Sequence, residues 1–189
     1  MRISCVVESR TPLLINKVTD EAILKMQSGS RKAQSSHQRT PKEEASKKLH
    51  LSKSGRPIMP SPNLFKSIIE GGRFFKLGKS KITTLKSSLI PACVEIEELE
   101  IPIKSKDGWE VDSRPVRVPT TGGVIIAHRP MFDKWSLGFT INLDEEMMSS
   151  QLLYEIIEAA GTRIGLGDFR PDRKGPFGKY RITQWKEGK

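Results

Sequence analysis

The sequence predicts an α+β fold of the ferredoxin-like, RRM-like type, four antiparallel strands backed by two helices in the order βαββαβ. Three observations predict it. Alternating apolar residues mark strands near the start, middle and end of the chain. Two segments with helical apolar spacing lie between them. The stretches left over are rich in charge, glycine and proline and read as insertions or loops rather than core.

Residues 2–8 (RISCVVE) form the first strand, with Ile3, Cys5 and Val7 on one face; TPLLIN follows, and Pro12 ends the strand or bends the chain. Residues 25–56 then hold nine Lys/Arg against Glu43 and Glu44, with seven serines and few apolar residues. Such a stretch buries too little surface to fold alone, so it reads as a flexible basic insertion that orders on a polyanion. GRPIMPSPNLFKSIIEGG restores order: Ser61 is the expected N-cap, Pro62 the first helical residue, and Leu64, Phe65, Ile68 and Ile69 share one face. Gly71-Gly72 ends the helix, and Phe74-Phe75 reads as core rather than as a base-stacking platform.

SLIPACVEI reads as a strand, with Ala92, Val94 and Ile96 opposite Cys93 and Glu95. Residues 99–131 form an insertion of short strands and turns between the middle strands. WSLGFTINL is the clearest strand in the chain. A second helix begins at Ser149 or Ser150 and turns Leu152, Leu153, Ile156, Ile157 and Ala160 to the core, with Gly161 near its end. KYRITQW closes the fold. Tyr180 and Ile182 are expected inside and Arg181 outside, with Trp185 on Arg181's face, free for a partner subunit or a base. All 189 residues fit one domain with embellishments.

The formal charge of +10 and the pI of about 9.7 speak to partners, with nucleic acid first and an anionic membrane second. No basic amphipathic helix, lipidation motif, signal peptide or run of 18 apolar residues supports the membrane, and a cytoplasmic location is expected. Cys5 and Cys93 fit buried free thiols in a reducing compartment.

The strongest ligand signal is the glycine-rich loop, residues 164–179. Gly165, Gly167, Gly175 and Gly178 interleave with Arg170, Arg173 and Lys174, with Arg163 just before them and Phe169 and Phe177 among them. Glycine lets a backbone approach a ligand closely, cations meet phosphates, and phenylalanine offers stacking faces. Arg31, Lys32, Arg39, Lys42, Lys47 and Lys48 of the first insertion, and Arg114, Arg117, His128 and Arg129 of the second, complete the candidate contacts. The RRM topology binds RNA on its open sheet face, but the aromatic pattern of that face is missing here, which places binding in the insertions and the loop.

TPLLIN after the first strand, GRPIMPSPNLFKSIIEGG at the first helix and IGLGDFRPDRKGPFGKY before the last strand together resemble the RAMP superfamily. The layout is similar to that of the backbone subunits that polymerise along guide RNA in CRISPR effector complexes, in a reduced or mobile-element form. The resemblance touches about half of the chain. It implies a thumb at residues 99–131, single-stranded RNA (or single-stranded DNA) and other effector subunits as partners, and a homo-oligomer along the strand. Relatives that cut target RNA use an aspartate after the first strand, where Asp20 stands. His37, His50 and His128 are the candidate bases of the rival reading, a metal-independent endoribonuclease. A protein-interaction subunit of a larger ribonucleoprotein is the third. No His/Cys cluster has metal-ligand spacing, and the GKS at 78–80 lacks the rest of a phosphate loop. The expectation is therefore a binder without a cofactor.

Overall fold

Three well-separated stretches of alternating sequence come together in one sheet. The computed structural model describes residues 1–28, 39–117 and 122–188. In chain order the elements begin with β1 (Arg2–Ser9), β2 (Leu13–Leu14), α1 (Asp20–Ser28), α2 (Pro41–Ser46), β3 (Ile58–Pro60) and α3 (Ser61–Gly71). A 3₁₀ turn (Gly72–Phe74), β4 (Lys76–Leu77), β5 (Ser80–Lys81), α4 (Ile90–Cys93), β6 (Val94–Ile96) and β7 (Glu100–Pro102) follow. The rest comprises β8 (Glu110–Arg117), β9 (Val124–Phe132), β10 (Ser136–Leu143), α5 (Ser150–Ala159), a π turn (Ala160–Ile164), a second 3₁₀ turn (Pro171–Arg173) and β11 (Tyr180–Gly188).

The main sheet has the order β11-β1-β10-β6, with every neighbouring pair antiparallel. With α3 between β1 and β6, and α5 between β10 and β11, this is the ferredoxin-like βαββαβ arrangement. Period-2 alternation puts Ile3, Cys5 and Val7 of β1, and Leu137, Phe139, Ile141 and Leu143 of β10, on the buried face. Leu64 and Ile68 of α3 and Leu153, Ile156 and Ile157 of α5 join the same apolar cluster. Ser149 caps α5, its hydroxyl accepting from the Leu152 amide at 3.3 Å. Pro60, rather than Ser61, occupies the N-cap of α3, and Ser61 is buried at the helix start.

Two strands depart from their simple reading. The predicted strand through SLIPACVEI is shorter: Pro91 starts one helical turn, so Cys93 is buried and Ala92 exposed, and pairing begins only at Val94. In β11 the pairing with β1 shifts between Val6 and Val7: Val7 faces Ile182 but Val6 faces Gln184, leaving Thr183 as a bulge. An extra residue exchanges the faces beyond it, so Trp185 leaves Arg181's side of the sheet. Its ring packs edge-on against Tyr154 of α5, centroids 5.4 Å apart, and its indole N–H donates to Ser150 Oγ at 3.2 Å. Trp185 is thus a half-buried core residue, not a platform for a partner or a base.

The two insertions pack on each other. β8 and β9 form a hairpin, β9 also pairs with β2, and α2 lies against its base. Residues 39–56 therefore depart from the flexible insertion expected over 25–56. Thr40 and Glu43 form a capping box, and Ala45 and Leu49 are buried. The hairpin supplies the apolar partner that a reading of this segment in isolation could not include. Arg31, Lys32 and His37, with the Lys25 side chain, lie outside the described residues. β7, early in the second insertion, pairs with β3.

Cys5 and Cys93 are free and buried, and burial pushes the Cys5 thiol up to about 12. Among the described residues no helix is long and apolar enough to cross a membrane. The Phe74-Phe75 pair divides, Phe75 packing on the core while Phe74 is exposed. Gly161 sits in the π turn, where a Cβ would come within 2.3 Å of the Tyr180 carbonyl oxygen. Close approach of the α5 extension to β11, not helix termination, is what requires glycine there. Gly161→Val is expected to cost at least the ~1–3 kcal/mol typical of overpacking, because backbone must move. A thermal melt checks it; a wild-type midpoint would mean that this contact is loose.

Candidate nucleic-acid interface

The glycine-rich loop is folded on itself and on the start of the chain. Its amides and carbonyls are matched: Leu166 N–H to Gly178 O at 2.9 Å, Gly178 N–H to Pro12 O at 2.7 Å, and Asp168 N–H to Leu14 O at 2.8 Å. Gly167 and Gly178 have φ of +72° and +69°, a region glycine enters without steric cost. A Cβ there would lie 2.2 Å from Leu14 O and 1.9 Å from Leu166 O, and one on Gly175 would lie 1.7 Å from Phe169 O. Gly165 closes the π turn at φ +73°, against Pro171. The space freed by these glycines is filled by the protein's own atoms, main chain at Gly167, Gly175 and Gly178 and the Pro171 ring at Gly165. Their requirement is internal, and it replaces the expectation that they open the backbone to a ligand.

The loop is tied to the hairpin by a buried ion network. Arg129, 5% exposed, donates from Nη2 to Asp112 at 3.1 Å and from Nη1 to Asp168 at 2.9 Å. Asn16 also donates to Asp168, at 3.1 Å. On the outer side, Arg114 Nε donates to Asp112 at 2.5 Å, and its guanidinium lies 4.6 Å from the Phe177 ring centroid. Arg129 was expected at a phosphate. Its alternation in β9 turns it inward instead, where two carboxylates occupy it.

Other expected contacts are partly committed within the chain. Arg39 and Lys47 both hold Glu21 of α1, at 2.7 and 2.8 Å, and bring its carboxyl down to about 2. Lys48 Nζ, on a side chain only 15% exposed, donates to Glu44 at 2.9 Å and to the His128 carbonyl at 2.7 Å, so it is a strut. His128 Nδ1 is 2.7 Å from Ser113 Oγ, and Arg170 donates to Gly167 O at 3.0 Å and to Asp172 at 3.4 Å. Arg117 Nε reaches Gly122 O at 3.3 Å across the hairpin. Lys42, Arg173 and Lys174 are exposed, Lys174 at φ +60°.

The contacts also link the loop to cations that sequence reading passed over. Phe169 and Phe177 stand 6.1 Å apart, Asp172 lies 3.9 Å from Arg73, and Arg163 covers the exposed Phe74 at 4.6 Å. Beyond Phe74, the β4–β5 hairpin carries exposed Lys76, Lys79 and Lys81, the loop after it carries exposed Lys86, and residues 73–86 contain no acid. Among the described residues none of these four lysines has an acidic partner within 4.0 Å, and Lys174 likewise has none. The signal was present as a run of lysines without acids. Only the fold places it beside the glycine loop.

Between α3 and the loop lies a groove of about 530 Å³ lined by Asn16, His50, Asn63, Lys66, Glu70 and Arg170 over Met59 and Leu166. Burial lowers the His50 pKa, assisted by the charge of Lys17. Asp20 stands exposed at the start of α1, 3.8 Å from Lys17 Nζ, away from this groove's lining. Among the described residues no group of three or more His, Cys, Asp or Glu is placed to hold a metal.

No family model and no curated protein matches the chain. Among solved structures it is similar to a chain of a Type III-B Cmr-beta complex bound to cognate target RNA, with a TM-score of 0.60 and 13% identity. The match covers 98% of this chain and 59% of that one, so the present chain spans under two thirds of its neighbour. At this identity the likeness is one of fold alone.

Proposed function

We propose that this chain binds single-stranded RNA without regard to sequence, as a subunit of a CRISPR-type effector assembly in which copies line up along the strand. The observation that carries the reading is the set of exposed cations running from the hairpin through the glycine loop to the β4–β5 turn, largely without internal acid partners. Folded proteins seldom gain stability by gathering like charges; such a track lowers its repulsion when a polyanion lies on it. The fold similarity to a chain of an RNA-bound complex supports RNA over other polyanions. The main sheet supports it from the other side: its solvent face offers Ser4, Gly138, Thr140 and Asn142 in place of stacking aromatics, leaving the track as the binding surface.

Binding, not cleavage, is the activity proposed. His128 is bonded to Ser113 on the hairpin while His50 lines the groove, and the two come from different elements. A gel shift with an RNA of about 30 nucleotides at low salt is expected to show binding whose logarithm falls linearly with the logarithm of salt, by about 0.7 for each phosphate contacted. The RNA is expected intact after incubation with EDTA. Absence of a shift for RNA and DNA alike would overturn the reading, and discrete EDTA-resistant cleavage that vanishes in His37→Ala, His50→Ala or His128→Ala would replace it with a nuclease.

A further inference from the structure

Phe169 is the least expected residue of the glycine loop. It has φ +47°, in a region where a bulky side chain is a genuine outlier, and it is 40% exposed. Strain of this kind persists only where surrounding bonds over-determine it. Here they do: the Phe169 amide donates to Asp168 Oδ1 at 2.9 Å, and its carbonyl accepts from the Phe177 amide at 3.3 Å. Gly175 leaves room for that carbonyl. Asp168, which fixes the amide, is itself held by Arg129 and Asn16. A hydrogen-bonded network anchored on buried Arg129 thus presents an aromatic ring to solvent in a conformation that glycine would adopt more cheaply.

Its surroundings explain what the ring can do. Beneath it lies Phe177, buried and tilted 39° to it. Arg114 is stacked on Phe177 and held by Asp112, so its position relative to the Phe169 ring is set. Arg173 and Lys174 follow in the loop. A presented aromatic face with fixed and mobile cations around it matches a nucleotide, the base on the ring and its phosphates on the cations.

We propose that Phe169 is a base-stacking residue, taking an unpaired nucleobase of the bound strand while Arg114 and Lys174 meet the flanking phosphates. This rests on the RNA-binding reading above and adds a residue and a type of contact to it. Stacking is sequence-tolerant because every base has a π-face, and it releases no counterions.

The test compares a uridine oligonucleotide of about 30 nucleotides with an abasic ribose-phosphate chain of the same length, at about 100 mM salt, by fluorescence anisotropy. Phe169→Ala and Phe169→Leu are expected to weaken uridine binding about 5- to 150-fold, the span of one lost stack, with an unchanged salt slope. Phe169→Trp is expected to keep it. On the abasic chain all three variants are expected to bind as the wild type does. Phe169→Gly is the check on folding: it relieves the positive φ, so it should melt cooperatively at no lower temperature while still losing the stack. Leucine binding uridine as well as phenylalanine does would overturn the assignment, as would equal losses on both chains. A wild-type protein that binds neither chain sinks the RNA-binding reading and this assignment with it. Wild-type binding that no Phe169 variant alters sinks the assignment alone.

Discussion

Arg129→Ala is expected to be the most destabilising single substitution in the interface, costing about 3–5 kcal/mol, the range for removing one partner of a buried ion pair. The cost does not measure the strength of the pair. It measures what is left: among the described residues Asp112, with a side chain 6% exposed, keeps Arg114, and Asp168 keeps Asn16 and its own loop amide. The Asp168 share is the smaller one, since that side chain is 33% exposed and water screens it. Arg129→Lys should also be poor, because a single ammonium cannot span two carboxylates as a planar guanidinium does. Urea denaturation reads the loss directly. The double variant Arg129→Met with Asp112→Asn should recover part of it, because it removes both members of the buried pair. A loss below about 1 kcal/mol for Arg129→Ala, the size of an exposed pair, would mean that the network is not buried in solution. Whatever RNA binding the folded fraction retains should keep the wild-type salt slope, since this arginine meets carboxylates and not phosphate.

The contrast between Arg129 and its neighbours shows where sequence reading reaches its limit. The scaffold was legible because periodicity is physical: Ile3, Cys5 and Val7, the run from Trp135 to Leu143, and Leu153, Ile156 and Ile157 have to face a core wherever that core lies. The candidate site was legible as composition only. In the chain Arg129 looks like Arg114 and Arg117, and nothing local reveals that Asp112 and Asp168 come to meet it from 17 and 39 residues away. Gly167, Gly175 and Gly178 stand out in the sequence, but the carbonyls they make room for belong to Leu14, Phe169 and Leu166. Trp185 was assigned by counting alternation through β11, and one bulged residue, Thr183, reverses the count. Residues 25–56 read as unable to fold alone, yet 39–56 find an apolar partner in the hairpin, 80 residues away between Lys48 and His128. Arg129, the glycines and residues 39–56 depend on long-range contacts that no window of sequence contains.

Removing charge from the β4–β5 hairpin and the loop after it should do more to RNA binding than removing it from the glycine loop. Lys76→Ala, Lys79→Ala, Lys81→Ala and Lys86→Ala together delete four exposed lysines that have no acidic partner among the described residues. At about 0.7 of a unit per lost contact on a single strand, the salt slope should fall by up to about three units, and affinity at low salt should fall with it. In the glycine loop, Arg170 is already bonded to Gly167 O and Asp172, whereas Arg173, 3.9 Å from Asp172, keeps a side chain 70% exposed and Lys174 is exposed; their double alanine variant should lower the slope by up to about 1.4 units. Arg170→Ala belongs in a separate class: it loosens the 3₁₀ turn at 171–173 and should lower the melting temperature more than it lowers the slope. The four lysines are all exposed, so their replacement should leave the melt within the small range of surface substitutions, about 0.5 kcal/mol. Two measurements decide the matter, a melt and a salt titration of RNA affinity for each variant. A quadruple variant that binds with the wild-type slope would take the β4–β5 hairpin and the loop after it out of the interface and confine binding to the glycine loop and the β8–β9 hairpin. A loop double variant with the larger drop would reverse the order argued here, and would make Arg173 and Lys174 the principal phosphate contacts.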